Sequence, residues 1–281
     1  MTEASTVSLA PARARWSILT PAFVRRDWRI ARSYRLQFVL DLAVVPLVLA
    51  LFFFLSELVE PARLPADDDL AKGYFSYAAV GLVVLRMVQS ALTSFATKLR
   101  TEQTSGTFET LLASPVSPSA VVLGSAAFEL LRALVGGATT LAVASLFGLR
   151  MEVGLGSITG LVVGLPALMV TFAAVGVVVA AFAVVVKQVT ALIGLVTATL
   201  GLLAGTYFPI DLLPAPLRLV ADLLPFTWGV DVLRAALLRG ELATGRLAAL
   251  VAFAVVSLPL SLMLFRLSVD RARRGGTLTQ F

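Results

Sequence analysis

Arg86 and Glu129 stand out because each sits inside a long apolar run, where an ionised side chain is costly unless a partner accompanies it. Gln89 shares the run of Arg86, and Arg132 shares the run of Glu129. Other reactive groups are scarce. The chain has no His and no Cys, which excludes imidazole acid–base work, thiol chemistry, disulfides and cysteine or histidine zinc sites. The apolar runs show no paired catalytic carboxylates and no Ser or Lys nucleophile with an evident base. G-x-x-x-x-G-K-[ST] does not occur, so the backbone nest and lysine that cradle nucleotide phosphates are missing. The intramembrane charges therefore read first as structural. Arg86 lies about ten residues from the C-terminal end of its run, and Glu129 lies about as deep in the next, antiparallel run if that run begins near Ala120. An Arg86–Glu129 ion pair is expected. A later start for that run would make Arg132 or lipid headgroups the partners, and a substrate-contacting or gating role stays open.

The elements that must hold these residues follow from composition. The chain has 281 residues, 58% hydrophobic and 14% charged, with a mean hydropathy of +0.92. Charged residues alone approach a quarter of a soluble domain, so this is an all-helical membrane protein. The net charge of +6 does not indicate nucleic acid, because arginines gather at the ends of apolar runs and not along a soluble face. A helix needs about 20 apolar residues to cross the hydrocarbon layer. Runs of that order occupy 36–56, 74–96, 120–148, 155–186, 189–207 and 247–267, a transmembrane domain of 36–267 flanked by tails 1–35 and 268–281. Pro166 is a plausible kink in the long fourth run.

Lys and Arg set the orientation. Arg13, Arg15, Arg25, Arg26, Arg29, Arg32 and Arg35 precede the first run, Lys98 and Arg100 follow the second, and Arg266, Arg271, Arg273 and Arg274 end the chain. These flanks belong in the cytoplasm, so both termini are expected inside a cell membrane. The connection after the fifth run, with Arg218, Arg234, Arg239 and Arg246, is discordant. No cleavable signal peptide is evident. Between Arg15 and Arg35, large apolar residues are interspersed with arginines, as in a helix lying in the headgroup layer; a disordered basic tail is the alternative. Gly160/Gly164 and Gly201/Gly205 permit close helix approach, within one subunit or at a dimer seam.

Two connections are unlike bare turns. "TEQTSGTFETLLASPVSP", from Thr101 to Pro118, is a polar island on the cytoplasmic side. Phe108, Leu111 and Leu112 alternate with acids and hydroxyls at helical spacing, and Pro115 and Pro118 end any helix. The island reads either as a short amphipathic helix offering acidic groups to the cytosol or as a solvated loop offsetting Lys98 and Arg100. From Gly205 to Gly240, Pro209, Pro214, Pro216 and Pro225 divide an apolar segment into pieces too short to span. A re-entrant or surface-lying helical pair over about 208–228 satisfies both constraints. Tyr207, Phe208, Pro209, Phe226 and Trp228 there are candidates for an external gate or for an aromatic belt.

"RTEQTSGTFETLLASPVSP" resembles the E-x-x-x-G-T-x-E-x-L-x-x-x-P segment of ABC-2 type transporter permeases, close to their daunorubicin-resistance and Nod-factor export branches. "GTYFPIDLLPAPLRLVADLLPFTWGVDVLRAALLRG" is similar to that family's segment after the fifth span. The resemblance implies a coupling helix that seats in a cytoplasmic ATPase, with Glu102, Gly106, Thr107, Glu109 and Leu112 as the contact set, and a lead helix that also touches the ATPase. It implies a non-enzymatic permease, with no cofactor of its own, whose separate ABC ATPase subunit binds ATP and Mg. It further implies a second copy or homologous permease as partner, and export of a hydrophobic or amphipathic drug, antibiotic or lipid-like substrate by alternating access. Export of a lipid-linked polysaccharide is the alternative within the family; a membrane enzyme or channel is the alternative outside it.

Overall fold

The computed structural model describes residues 25, 35–59, 68–104, 118–185 and 189–274. Among them the regular structure is helical, with no strand. The long helices are α1 (Arg35–Leu58), α2 (Tyr74–Thr104), α3 (Pro118–Leu146), α4 (155–185), α5 (Val189–Leu203) and, at the C-terminal side, α8 (Thr244–Arg274). Between α5 and α8 lies a hairpin of two shorter helices, α6 (Ala215–Leu223) and α7 (Pro225–Arg234). Among the described residues three stretches, Tyr74–Leu92, Leu155–Phe182 and Thr244–Ser268, are long and apolar enough to cross a membrane. Shorter apolar helical stretches occupy Ala43–Leu58, Leu130–Leu146 and Ile193–Leu203 among the described residues.

The helix ends have local causes. Proline opens α3 at Pro118 and α7 at Pro225, where its missing N–H has no helical partner to lose and its fixed φ suits the first turn. The fifth apolar run reaches Tyr207, but α5 stops at Leu203, because Gly205 adopts φ +70° and turns the chain out of the helix. Gly240 closes α7 in the same left-handed way. The expected irregularity in the fourth run falls just before Pro166, where Gly160–Gly164 forms a π turn; α7 is likewise prolonged by a π turn at Ala235–Arg239.

Helix α2 is the centre of the bundle. Of its Tyr74–Leu92 window 83% is buried, against 22% for Thr244–Ser268 of α8, so α2 is enclosed by protein while α8 turns most of its surface outward. Ala78, Ala79, Val80, Val84 and Ala91 of α2 are fully buried, and α2 packs on α1, α3, α4, α5 and α7. Small side chains let five elements approach one helix, and packing replaces water exclusion as the cohesive force in hydrocarbon. Helix α4 forms the second layer, packed on both α2 and α8.

The glycines of α4 set the position of the hairpin. A Cβ on Gly160 would lie 2.6 Å from Cβ of Ala236, and one on Gly164 would lie 2.6 Å from Cγ1 of Val232. The small-residue spacing of α4 thus serves packing against α7 of the same chain, which settles the first of the two expected glycine pairs as internal. In the second pair, a Cβ on Gly201 would meet Leu85 and Tyr207, again within the chain.

Replacing Gly160 by valine should therefore displace α7 and cost about 1–3 kcal/mol. By contrast, the same change at Gly136, where a Cβ meets nothing within 4 Å, should be nearly silent. Thermal unfolding of the purified protein in nanodiscs compares the two; equal Tm values would contradict this packing assignment.

Candidate functional site

The described connections between the long helices meet at the end where α1, α3 and α5 finish and α2, α4 and α8 begin. Here α7 carries Arg234, one of the largest fully enclosed side chains, with 2% of its surface exposed. Its Nη2 donates to the carbonyl oxygens of Gly205 at 2.7 Å, Thr206 at 3.2 Å and Tyr77 at 3.2 Å, and Nε donates to Tyr77 O at 3.4 Å. The guanidinium carbon lies 3.5 Å from the centroid of the Tyr77 ring, a cation–π geometry that is strongest away from water. The Tyr77 hydroxyl in turn donates to Gly205 O at 3.0 Å. One side chain on α7 thus holds the first turn of α2 and the turn that ends α5. The approach needs Gly81, where a Cβ would come within 2.9 Å of Arg234 Nη2.

Around this buried pin runs a rim of ion pairs. Arg239 pairs with Asp69 and lies 3.6 Å from Glu241, Lys72 pairs with Glu152, and Arg218 Nη2 lies 2.5 Å from Asp211. Arg246, at the start of α8, reaches Asp222 Oδ1 at 2.8 Å and Asp231 Oδ2 at 3.3 Å. The Glu152 N–H donates to Leu237 O at 2.9 Å, which ties the α3–α4 connection to the π turn of α7. A polar cavity of about 170 Å³ opens between these groups, lined by Asp69, Tyr77, Asp211, Asp231 and Arg234 among others. Burial pushes the Asp231 carboxyl up to about 6, against the pull of Arg246 and then Arg234, with Asp69 and Asp222 adding to the rise.

The four arginines that follow the fifth apolar run all have partners in this arrangement. Arg218, Arg239 and Arg246 face carboxylates, and Arg234 is spent on carbonyls and an aromatic face. A guanidinium does not deprotonate in proteins, and its donors here are directed at backbone. What these side chains do in this arrangement is fasten α7 to the start of α2 and to the turn that ends α5.

The candidate gate residues lie on the α5–α6 connection and on α7, and three of their rings pack on α1, α4 and α8. Tyr207 is half-buried and stacks on Phe52 of α1, with centroids 5.6 Å apart. Phe226 is buried, with its centroid 6.1 Å from that of Phe172 of α4, and Trp228 meets Phe253 of α8 edge-on at 6.2 Å. The Trp228 indole N–H donates to Asp222 O at 2.7 Å. Pro209 is buried and Phe208 half-buried beside them in sequence. Arg86 is half-buried on α2, whereas the side chain of Glu129 lies outside the described residues, as do Gly106, Thr107, Glu109 and Leu112. Glu102 falls on the last turn of α2, its side chain again outside the described residues. The lead segment before Arg35 also lies outside them, apart from Arg25, which is helical and exposed.

Arg234 was not among the sequence-derived site residues. One local signal could have found it: "VDVLRAALL" places it within apolar neighbours on both sides, where an arginine must be buried with partners. Its partner Tyr77 is 157 residues away in the chain, beyond the reach of any local pattern.

The ABC-2 type transporter family matches residues 15–238 of the chain. No curated protein matches it. The matched stretch includes the polar island, α2, and the hairpin through Leu238; α8 lies beyond it.

Exposed ion pairs contribute about 0–1 kcal/mol, whereas a buried acceptor stripped of its donor costs about 1–3 kcal/mol. Arg234→Met should accordingly lower Tm well beyond the effect of Arg218→Met, whose ion pair is half-exposed on both sides. Thermal unfolding in nanodiscs decides, and equal losses would contradict the assignment of Arg234 as the pin.

Proposed function

The chain belongs to the ABC-2 type transporter family, and on that premise we propose that it is the membrane-spanning subunit of an ATP-driven exporter for hydrophobic or amphipathic molecules. The observation that carries this reading is the family match across 15–238, which contains both the cytoplasmic island and the arginine-fastened hairpin. A permease of this kind has no P-loop, in keeping with the absence of G-x-x-x-x-G-K-[ST] from the sequence, so nucleotide, with its Mg, is bound and hydrolysed by a separate ABC ATPase subunit.

Six spans with both termini in the cytoplasm place the island on the inner side and the hairpin on the outer side. Two features support this polarity. Arginines flank the apolar runs at the island end, and those at the hairpin end are held by carboxylates or by backbone oxygens. The island around Glu102, Gly106, Thr107, Glu109 and Leu112 docks on the ATPase, and α2, which continues unbroken to Thr104, carries its motion to the central layer of the bundle. A second copy or a homologous permease completes the path. Tyr207, Phe208, Pro209, Phe226 and Trp228 close the outer end, and Arg86 with Glu129 joins the second and third spans.

Charge reversal at Glu109 tests the docking. Glu109→Lys should leave membrane insertion and permease pairing intact, while substrate-stimulated ATP hydrolysis by the complex with the partner ATPase falls to its unstimulated level. Undiminished stimulation and export in a well-expressed variant would contradict the docking role.

A further inference from the structure

The two helices of the hairpin are held by chemically different means. Helix α7 is a buried post: Phe226, Thr227, Gly229, Val230, Val232 and Leu233 are all enclosed, and Arg234 ties it to carbonyls of Tyr77, Gly205 and Thr206. Those acceptors are main-chain oxygens on helices and turns. They cannot be protonated at physiological pH, swung away by a rotamer change or screened by salt where water is excluded. Helix α6 is the opposite case. Residues 215–220 are exposed along their whole length, and Ala221 is its one buried residue. Little apolar packing holds it in place.

What secures α6 converges on Asp222. The Asp222 carbonyl accepts from the Trp228 indole at 2.7 Å and from Arg246 Nη1 at 3.3 Å, and its carboxylate accepts from Arg246 Nη2 at 2.8 Å. Arg246 simultaneously reaches Asp231 on α7, so one side chain at the start of α8 bridges both helices of the hairpin. Arg246, Asp222 and Asp231 are 37%, 38% and 31% exposed, within reach of water and ions. Such pairs exchange readily and weaken with salt. The backbone on either side of α6 is extended and proline-flanked: Pro214 has ψ 146°, and Leu224, which precedes Pro225, has ψ 123°. These are the positions at which a short rigid helix can swing.

We propose that α6 is a flap hinged at Pro214 and Leu224, that α7, pinned by Arg234, is its fixed post, and that Arg246 is the releasable strap between them. Arg246 is then a positioning residue for the outer gate, an assignment that rests on the reading of the hairpin end as the exit. Release of Arg246 lets α6 move relative to α8, while the post and the Gly205–Thr206 turn stay in place.

Electron–electron distance measurements on the full chain in nanodiscs test this directly. One nitroxide pair joins α6 to α8, at Leu219 and Val255, which are 66% and 69% exposed. A second joins the end of the post to α8, at Glu241, 71% exposed, and Val255. In the wild-type background both pairs should give one narrow peak at low salt. With Arg246→Gln the Leu219–Val255 peak should be lost to a broad distribution, while Glu241–Val255 remains narrow and Arg246→Lys partly restores the first. An unchanged Leu219–Val255 peak would overturn the strap, and equal broadening of both pairs would overturn the fixed post. Export by the complex with the ATPase separates the two readings. A flap that loosens in Arg246→Gln without any change in ATP-driven export leaves the strap standing and removes the gate.

Discussion

A guanidinium enclosed to 2% exposure against three main-chain carbonyls and a tyrosine face is the interaction on which the hairpin end of this protein depends. Within an apolar layer an arginine can be kept only where its donors are directed at fixed acceptors. The carbonyls of Gly205 and Thr206 are available because the φ of +70° at Gly205 ends α5 there, and the guanidinium can approach because position 81 has no side chain. On the far side of α7, Gly160 and Gly164 admit Ala236 and Val232. Helix α7 is thus clamped between α2 and α4, with Arg234 on one flank and a glycine-lined seam on the other.

That clamp separates two kinds of attachment. The contacts of Arg234 on α7 are buried and backbone-directed, so they set geometry. Contacts at the rim, from Arg218, Arg239 and Arg246 to carboxylates, are partly exposed and adjustable. A transport subunit needs both properties: elements that do not move, against which others can. At the opposite end the same separation takes another form. Helix α2 is enclosed over its first half and extends to Thr104 beyond the apolar core, a continuous element from the start of the polar island to the Tyr77–Arg234 contact.

Much of this was legible in the sequence. Apolar runs of span length without strand alternation identify helical membrane structure, and the prolines from Pro209 to Pro225 divide the hairpin where the chain in fact breaks. The family was legible in the island and in the segment after the fifth run, and it matches over 15–238. Helix ends were less so, since α2 and α8 continue through Lys98, Arg100 and Arg266: good helix formers propagate a helix past the apolar limit. The π turns at Gly160–Gly164 and Ala235–Arg239 carry no compositional mark. Arg234 was counted as one of four misplaced charges, because its acceptors are backbone atoms, which a sequence cannot display, on elements distant in the chain.

The central claim is a polarity: the arginine-fastened hairpin looks outward and the acidic island looks to the cytoplasmic ATPase. Because the chain has no cysteine, a single cysteine is an unambiguous reporter. Glu241→Cys, at an exposed position beyond the π turn, should react with a membrane-impermeant maleimide in intact cells, whereas Glu109→Cys should react only after permeabilisation. The reverse pattern, with Glu109→Cys labelled from outside and Glu241→Cys protected, would contradict the account.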